Sequence, residues 1–168
     1  IKTDKTEAVL EAGCVCFPSR WKLIEKVGKN MAGIHQPVPQ FQKNLEKPAT
    51  RFLVHPSSNK PMWRMNWSIH DSPILFAYGP QTEKQEVNAA TLLENTYLRL
   101  ERQCLIRMKK TGYVVFSIRT YLQPLSELAL HSEDRTDLLA VLKSMPEEVI
   151  QYKGLQHLHQ PLCSVLWK

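Results

Sequence analysis

The sequence predicts an α+β fold, an antiparallel sheet with helices packed on it, from three observations. Residues 62–69 alternate as a strand, with Trp63, Met65, Trp67 and Ile69 on one face and Arg64, Asn66 and Ser68 on the other. Residues 97–107 set Arg99, Glu101 and Gln103 on one face and Leu98, Leu100 and Cys104 on the other, and with residues 113–122, rich in β-branched and aromatic side chains and reached through Lys110-Thr111-Gly112, they read as a hairpin. From Leu125 onward the apolar period becomes helical.

Taken in order, residues 8–17 read as a strand entering the core, ended by Pro18-Ser19. Residues 21–27 read as a short helix closed by Gly28. Phe41, Leu45, Phe52 and Leu53 fit an amphipathic helix whose second half Pro48 starts or kinks. The composition of residues 55–61 is that of a loop, and residues 71–87 form a turn-rich connection, expected to be the most flexible part. In the carboxy-terminal third, Leu138, Leu139, Val141 and Leu142 make a helical stripe, with Ser132 or Asp134 as its cap and Pro146 as its stop. A further short helix opens at Pro146 and ends near Lys153-Gly154.

With 168 residues, 43% hydrophobic and 23% charged, the chain suits one globular domain over 1–168 with a real core. No apolar run approaches a membrane span, so no membrane partner is expected. The formal charge is +6 and the pI about 9.2, but the basic residues are scattered and no nucleic-acid motif accompanies them. A solvated basic surface, or one that docks an acidic partner, is the expectation. Cys14, Cys16, Cys104 and Cys163 are too scattered for a disulfide scaffold and lack zinc spacing. They read as reduced thiols in the cytoplasm or another reducing compartment. The first residue is Ile1 rather than Met, so a trimmed start is expected.

Two constellations carry chemistry. His35 stands in Ile34-His35-Gln36-Pro37-Val38-Pro39, where each proline locks φ and restricts the residue before it. An imidazole on so stiff a backbone suits a metal ligand, and equally a packed structural histidine. His70, just beyond the first long strand, is its rival; His55, His131, His157 and His159 fall in loop or tail contexts and are expected to be exposed. The second constellation is the polar sheet face carrying Arg64, Asn66, Arg99, Glu101 and Gln103. If water solvates that face, it needs no further account. If it is covered, each charge must be paired and each amide satisfied, as in a ligand pocket.

Five segments, in order, resemble one family. Residues 16–39 are the first, followed by Arg64-Met-Asn-Trp67, Arg99-Leu-Glu-Arg-Gln-Cys-Leu105, Val115-Phe-Ser-Ile-Arg-Thr-Tyr121 and Tyr152-Lys-Gly-Leu155. Together they resemble the α-subunit-like proteins of haem-dependent oxidative N-demethylase. The chain departs from that pattern at Met108-Lys109, where Leu-Pro is usual, which implies a local change of turn geometry. Members are also longer at the amino end, so the chain looks like the carboxy-terminal part of one.

The resemblance implies a PAS-like domain that binds haem b and works with partner reductase subunits carrying NADPH-derived electrons through FMN and a 2Fe-2S cluster. The reaction it implies uses O₂ to remove a methyl group from a small secondary amine. On that reading His35 is the axial ligand to the iron. Arg64, Arg99 and Arg102 are candidates to clamp the haem propionates, which prefer guanidinium donors. Asn66 and Trp67 belong to the same cofactor-binding element. Glu101, with Gln103 beside it, is the candidate to hold the cationic amine near the iron and help polarise oxygen. An ion pair of Glu101 with Arg64 or Arg102 is the structural alternative. A haem-binding sensor without turnover and a haem-free interaction domain are the competing functions.

Overall fold

A computed structural model describes residues 1–4, 6–55, 60–79 and 88–167. Parts of the expected loop at 55–61 and of the connection at 71–87 therefore lie outside the described residues. The chain is mixed α and β, with antiparallel pairing and helices, and its described residues fall into two compact units. The first draws on Ile1–Asn66, Leu75–Pro80 and Glu101–Thr120, the second on Trp67–Ile74, Gln81–Leu100 and Tyr121–Lys168.

Three long strands form one sheet: β4 (Met62–His70), β6 (Tyr97–Arg107) and β7 (Val114–Pro124), with β6 in the middle. So short a connection between bonded neighbours makes β6 and β7 antiparallel. Gly112 takes φ +74 in the turn, a conformation an L side chain resists. Backbone bonds tie Met108 to Tyr113 at one end of the hairpin and Leu125 to Thr96 at the other. Both pairs have the same sum of residue numbers, so the register runs through without a net bulge. Gln103 thus lies opposite Ile118, and Arg102 opposite Arg119.

In the first unit, β1 (Lys2–Thr3) pairs antiparallel with β2 (Ala8–Val9). Its core is small: Ala8, Leu53, Val54 and Val114 are buried, with Ile1, Met31 and Leu105 against them. Polar ties reinforce it, since the Ile1 amine donates to the Val114 carbonyl at 2.8 Å and Arg107 to the Val54 carbonyl at 2.6 Å. Several expectations are corrected here. The strand at 8–17 shrinks to Ala8–Val9, because only that stretch finds a partner; Leu10 then bonds Lys29 and Gly28 outside any strand. Ser19–Trp21 becomes β3, which pairs parallel with β5 (Ala77–Tyr78), so the helix at 21–27 is reduced to one 3₁₀ turn, Leu23–Glu25, before Gly28 at φ +81. The helix expected over 41–53 breaks at Leu45 into α2 (Phe41–Asn44) and α3 (Glu46–Val54), after α1 (Met31–Ile34). Pro48 falls in the first turn of α3, where a missing N–H leaves no helical bond unmade.

The second unit is built on leucine. Ile69, Leu92, Leu125, Leu138, Leu139, Leu142, Ile150, Leu155, Leu158, Leu162 and Leu166 form one buried cluster. They come largely from α4 (Leu125–Leu128), α5 (Ser132–Ser144), α6 (Glu147–Tyr152) and α7 (His159–Leu166). In α5, Glu133 and Asp134 at the start and Lys143 at the end suit the helix dipole. Neither Ser132 nor Asp134 caps it: His131 is the cap residue and makes no side-chain bond there. Val141 of the expected stripe is 44% exposed, one position off the buried face. The helix α7 was not anticipated, although Leu158, Leu162 and Leu166 recur at the helical interval of four.

Candidate functional site

His35 ends α1, and its ring position is set on two sides. Its Nδ1 lies 3.0 Å from the Met31 carbonyl, which can only accept, so Nδ1 carries the proton of the neutral ring. The turn that follows bonds Val38 to the His35 carbonyl and Phe41 to the Val38 carbonyl, reversing the chain through Pro37 and Pro39. This brings the buried Phe41 ring onto the imidazole, with centroids 4.4 Å apart and planes 13° from parallel. Burial pushes the His35 pKa below its ordinary value; the charges of Arg64 and Lys26 push the same way, and the bond to Met31 opposes them. The ring is therefore neutral at pH 7, with its lone pair on Nε2. Among the described residues nothing bonds Nε2. Such an imidazole can take a metal or accept a proton.

The polar side chains of β4 and β6 meet in one strip. Arg64 Nε donates to Gln103 Oε1 at 2.8 Å, Gln103 Nε2 donates to Glu101 Oε2 at 3.1 Å, and Asn66 Nδ2 reaches the same Oε2 at 3.4 Å. Residues 64 and 66 pair with 103 and 101, stepping forward on one strand and back on the other, as an antiparallel pair does on a single face. Gln103 is buried and Glu101 half-buried, while Arg64 and Asn66 are exposed at the rim. The arrangement fixes a carboxylate through two amide donors and leaves a guanidinium beside it. It falls between a wet face and a closed one: the middle strand is covered and its neighbour is open.

The remaining sequence candidates lie elsewhere. Arg102 alternates to the opposite face of β6, where its guanidinium sits over the Trp63 ring at 5.4 Å. Trp67 and Arg99 belong to the second unit. There Lys153 Nζ donates to the Trp67 carbonyl at 3.0 Å and lies 4.6 Å from the centre of its ring. Arg99 is fully buried, at 0% exposure. His70, the rival to His35, is also buried in the second unit. His55 and His131 are exposed as expected. His157 and His159 are not: His157 Nε2 lies 3.2 Å from the buried carboxylate of Asp71, and His159 Nε2 bonds the Leu142 carbonyl at 2.8 Å. Their tail folds into α7, which draws both rings inward.

Among the described residues no group of three or more His, Cys, Asp or Glu side chains could hold a metal ion. The four cysteines are free. No helix among the described residues is long and apolar enough to cross a membrane. Phe41 and the Met31 carbonyl are the contacts of His35 that sequence reasoning missed. Their contact with His35 depends on the turn at 35–38, and only the rigid Pro-Val-Pro spacing hinted at it.

These features lie on a sequence with a family-wide counterpart. The family model described as haem-dependent oxidative N-demethylase, alpha subunit-like matches residues 1–163, nearly the whole chain. The chain belongs to that family.

Proposed function

We propose that this chain is a single PAS-like, haem b-binding domain of an oxidative N-demethylase-type enzyme. Its substrate would be a small secondary amine, with O₂ as oxidant. Electrons would come from partner reductase subunits carrying FMN and a 2Fe-2S cluster and drawing on NADPH. The observation that carries the reading is the state of His35: neutral, held by Met31 and Phe41, with Nε2 left as the donor. A haem iron would ask that of an imidazole that holds it. Haem b, when bound, supplies oxygen activation and a path for electrons.

The chain's own residues do the rest. His35 would hold the iron through Nε2, with the Met31 carbonyl keeping the proton on Nδ1. Arg64, whose charge acts on His35, offers a guanidinium to a propionate. Glu101 supplies the negative charge that a protonated dialkylamine requires, and Gln103 and Asn66 keep its carboxylate pointed one way. Free thiols accord with a reducing intracellular compartment. Trp67, packed on the leucine cluster, serves the second unit's core in this reading, as does the buried Arg99.

Absorption spectroscopy during haem titration tests this directly. Wild type should give a sharp, saturable Soret band, and His35→Ala a shifted or weaker one. A small amine should then perturb the wild-type spectrum, and reductant with O₂ should yield formaldehyde. A broad, unsaturable band would refute haem binding. A sharp band with no amine response and no formaldehyde would leave a haem sensor instead.

A further inference from the structure

The sheet of the first unit has a second face, opposite the Glu101 strip, and its composition is unlike the rest of the surface. Alternation and hairpin register place Trp63 and Met65 of β4, Arg102 of β6, and Val115, Ser117 and Arg119 of β7 on it. Trp63 is 63% exposed, Met65 45% and Val115 44%. Arg102, Ser117 and Arg119 are exposed as well. In the stretches 62–66, 102–106 and 115–119 the positions on this face include no Asp, Glu or Lys. Tryptophan, methionine and arginine are enriched in the centres of protein interfaces, where lysine and carboxylates are depleted. The Arg102 guanidinium already lies over the Trp63 ring, so its geometry is set before any partner arrives.

We propose that this face docks an acidic segment of another protein, with a carboxylate against Arg102 and apolar side chains over Trp63 and Met65. A planar guanidinium pairs a carboxylate through two parallel bonds. A second copy of this chain fits poorly, because each copy carries +6 and would set arginine against arginine. A nucleic acid also fits poorly, since two guanidiniums on a half-apolar face give few phosphate contacts. The proposal does not depend on haem.

Fluorescence anisotropy of a labelled 20-residue peptide of Glu, Leu and Phe, titrated with the full chain, provides the test. Saturable binding is expected, weakening with salt, and falling about tenfold or more in both Arg102→Glu and Trp63→Ala. Lys110→Glu, an equal charge change at the exposed hairpin turn, should shift it by less than about twofold. Arg102→Lys keeps the charge but loses the planar fork, and should fall between the two. No saturable binding overturns the proposal. So does an equal loss in Lys110→Glu, which would make the interaction a general one with a basic surface. A single-stranded oligonucleotide that binds more tightly through the same two residues, or a concentration-dependent dimer that these variants abolish, overturns it as well.

Discussion

The two units of this chain spend their side chains differently. Among the described residues the second unit buries eleven apolar residues in one cluster, seven of them on helices, while the first buries four in its own. The first instead exposes Phe17, Trp63, Met65, Phe76, Tyr78, Phe116 and Ile118, each at least 39% accessible. Burying a leucine side chain stabilises by about 1.5–3 kcal/mol. A unit that leaves so many apolar groups in water therefore forgoes stability that the leucine cluster collects. The candidate-site groups lie in the unit that forgoes it, His35 with its two supports and the Arg64–Gln103–Glu101–Asn66 strip, while the second unit buries the polar His70, Asp71, Thr96 and Arg99. The contrast separates a scaffold that holds its own fold from one that presents side chains.

Substitutions can break or sharpen that contrast. The largest effect is expected at Leu142, fully buried in the leucine cluster: Leu142→Ala should destabilise by about 2–5 kcal/mol in denaturant unfolding. A loss under about 1 kcal/mol would remove the claim that this cluster carries the unit. Gln103→Ala comes next, at about 1–3 kcal/mol, because it removes a buried bridge and leaves Arg64 and Glu101 each short of a partner. If its unfolding midpoint matches wild type, the strip is an ornament of the surface. Trp63→Ala should change stability by less than about 0.5 kcal/mol, since the ring is mostly in water. A loss like that of Leu142→Ala would show that a core residue had been mistaken for a presented one.

The last effect is one of direction, from a single imidazole. Folding lowers the His35 pKa from its ordinary 6.5, so the unfolded chain takes up this proton first as the pH falls. Stability should be highest above that value and decline as pH drops through it. The slope should disappear in His35→Gln, measured as thermal midpoint against pH. An unchanged slope in the variant would assign the dependence to another group.

Much of this was legible before any fold was drawn, and the limits have physical reasons. The long strands and their hairpin were visible because period-two alternation over many residues leaves few alternatives. Residues 8–27 misled because short apolar stretches take whichever backbone partner is near. Nothing local announces that Ser19–Trp21 will pair parallel with Ala77–Tyr78. At the candidate site, His35 and the Glu101 strip could be named from stiff prolines and from polar residues at alternate positions. Placing Arg102 with Arg64 failed to follow alternation, which sends neighbours on a strand to opposite faces. The histidines of the tail were misread because α7 went unseen.

By itself the sequence determined the class of fold, the family, the central hairpin and the identity of the polar strip. Those depend on periodicity, turn chemistry and order, which are properties of neighbouring residues. Only the tertiary structure decided that Phe41 stacks on His35, that Met31 fixes its proton, and that Trp63 and Arg102 share an exposed face. Each of those contacts joins groups whose closeness is set by chain reversal and strand pairing, and no local preference encodes where such a path returns.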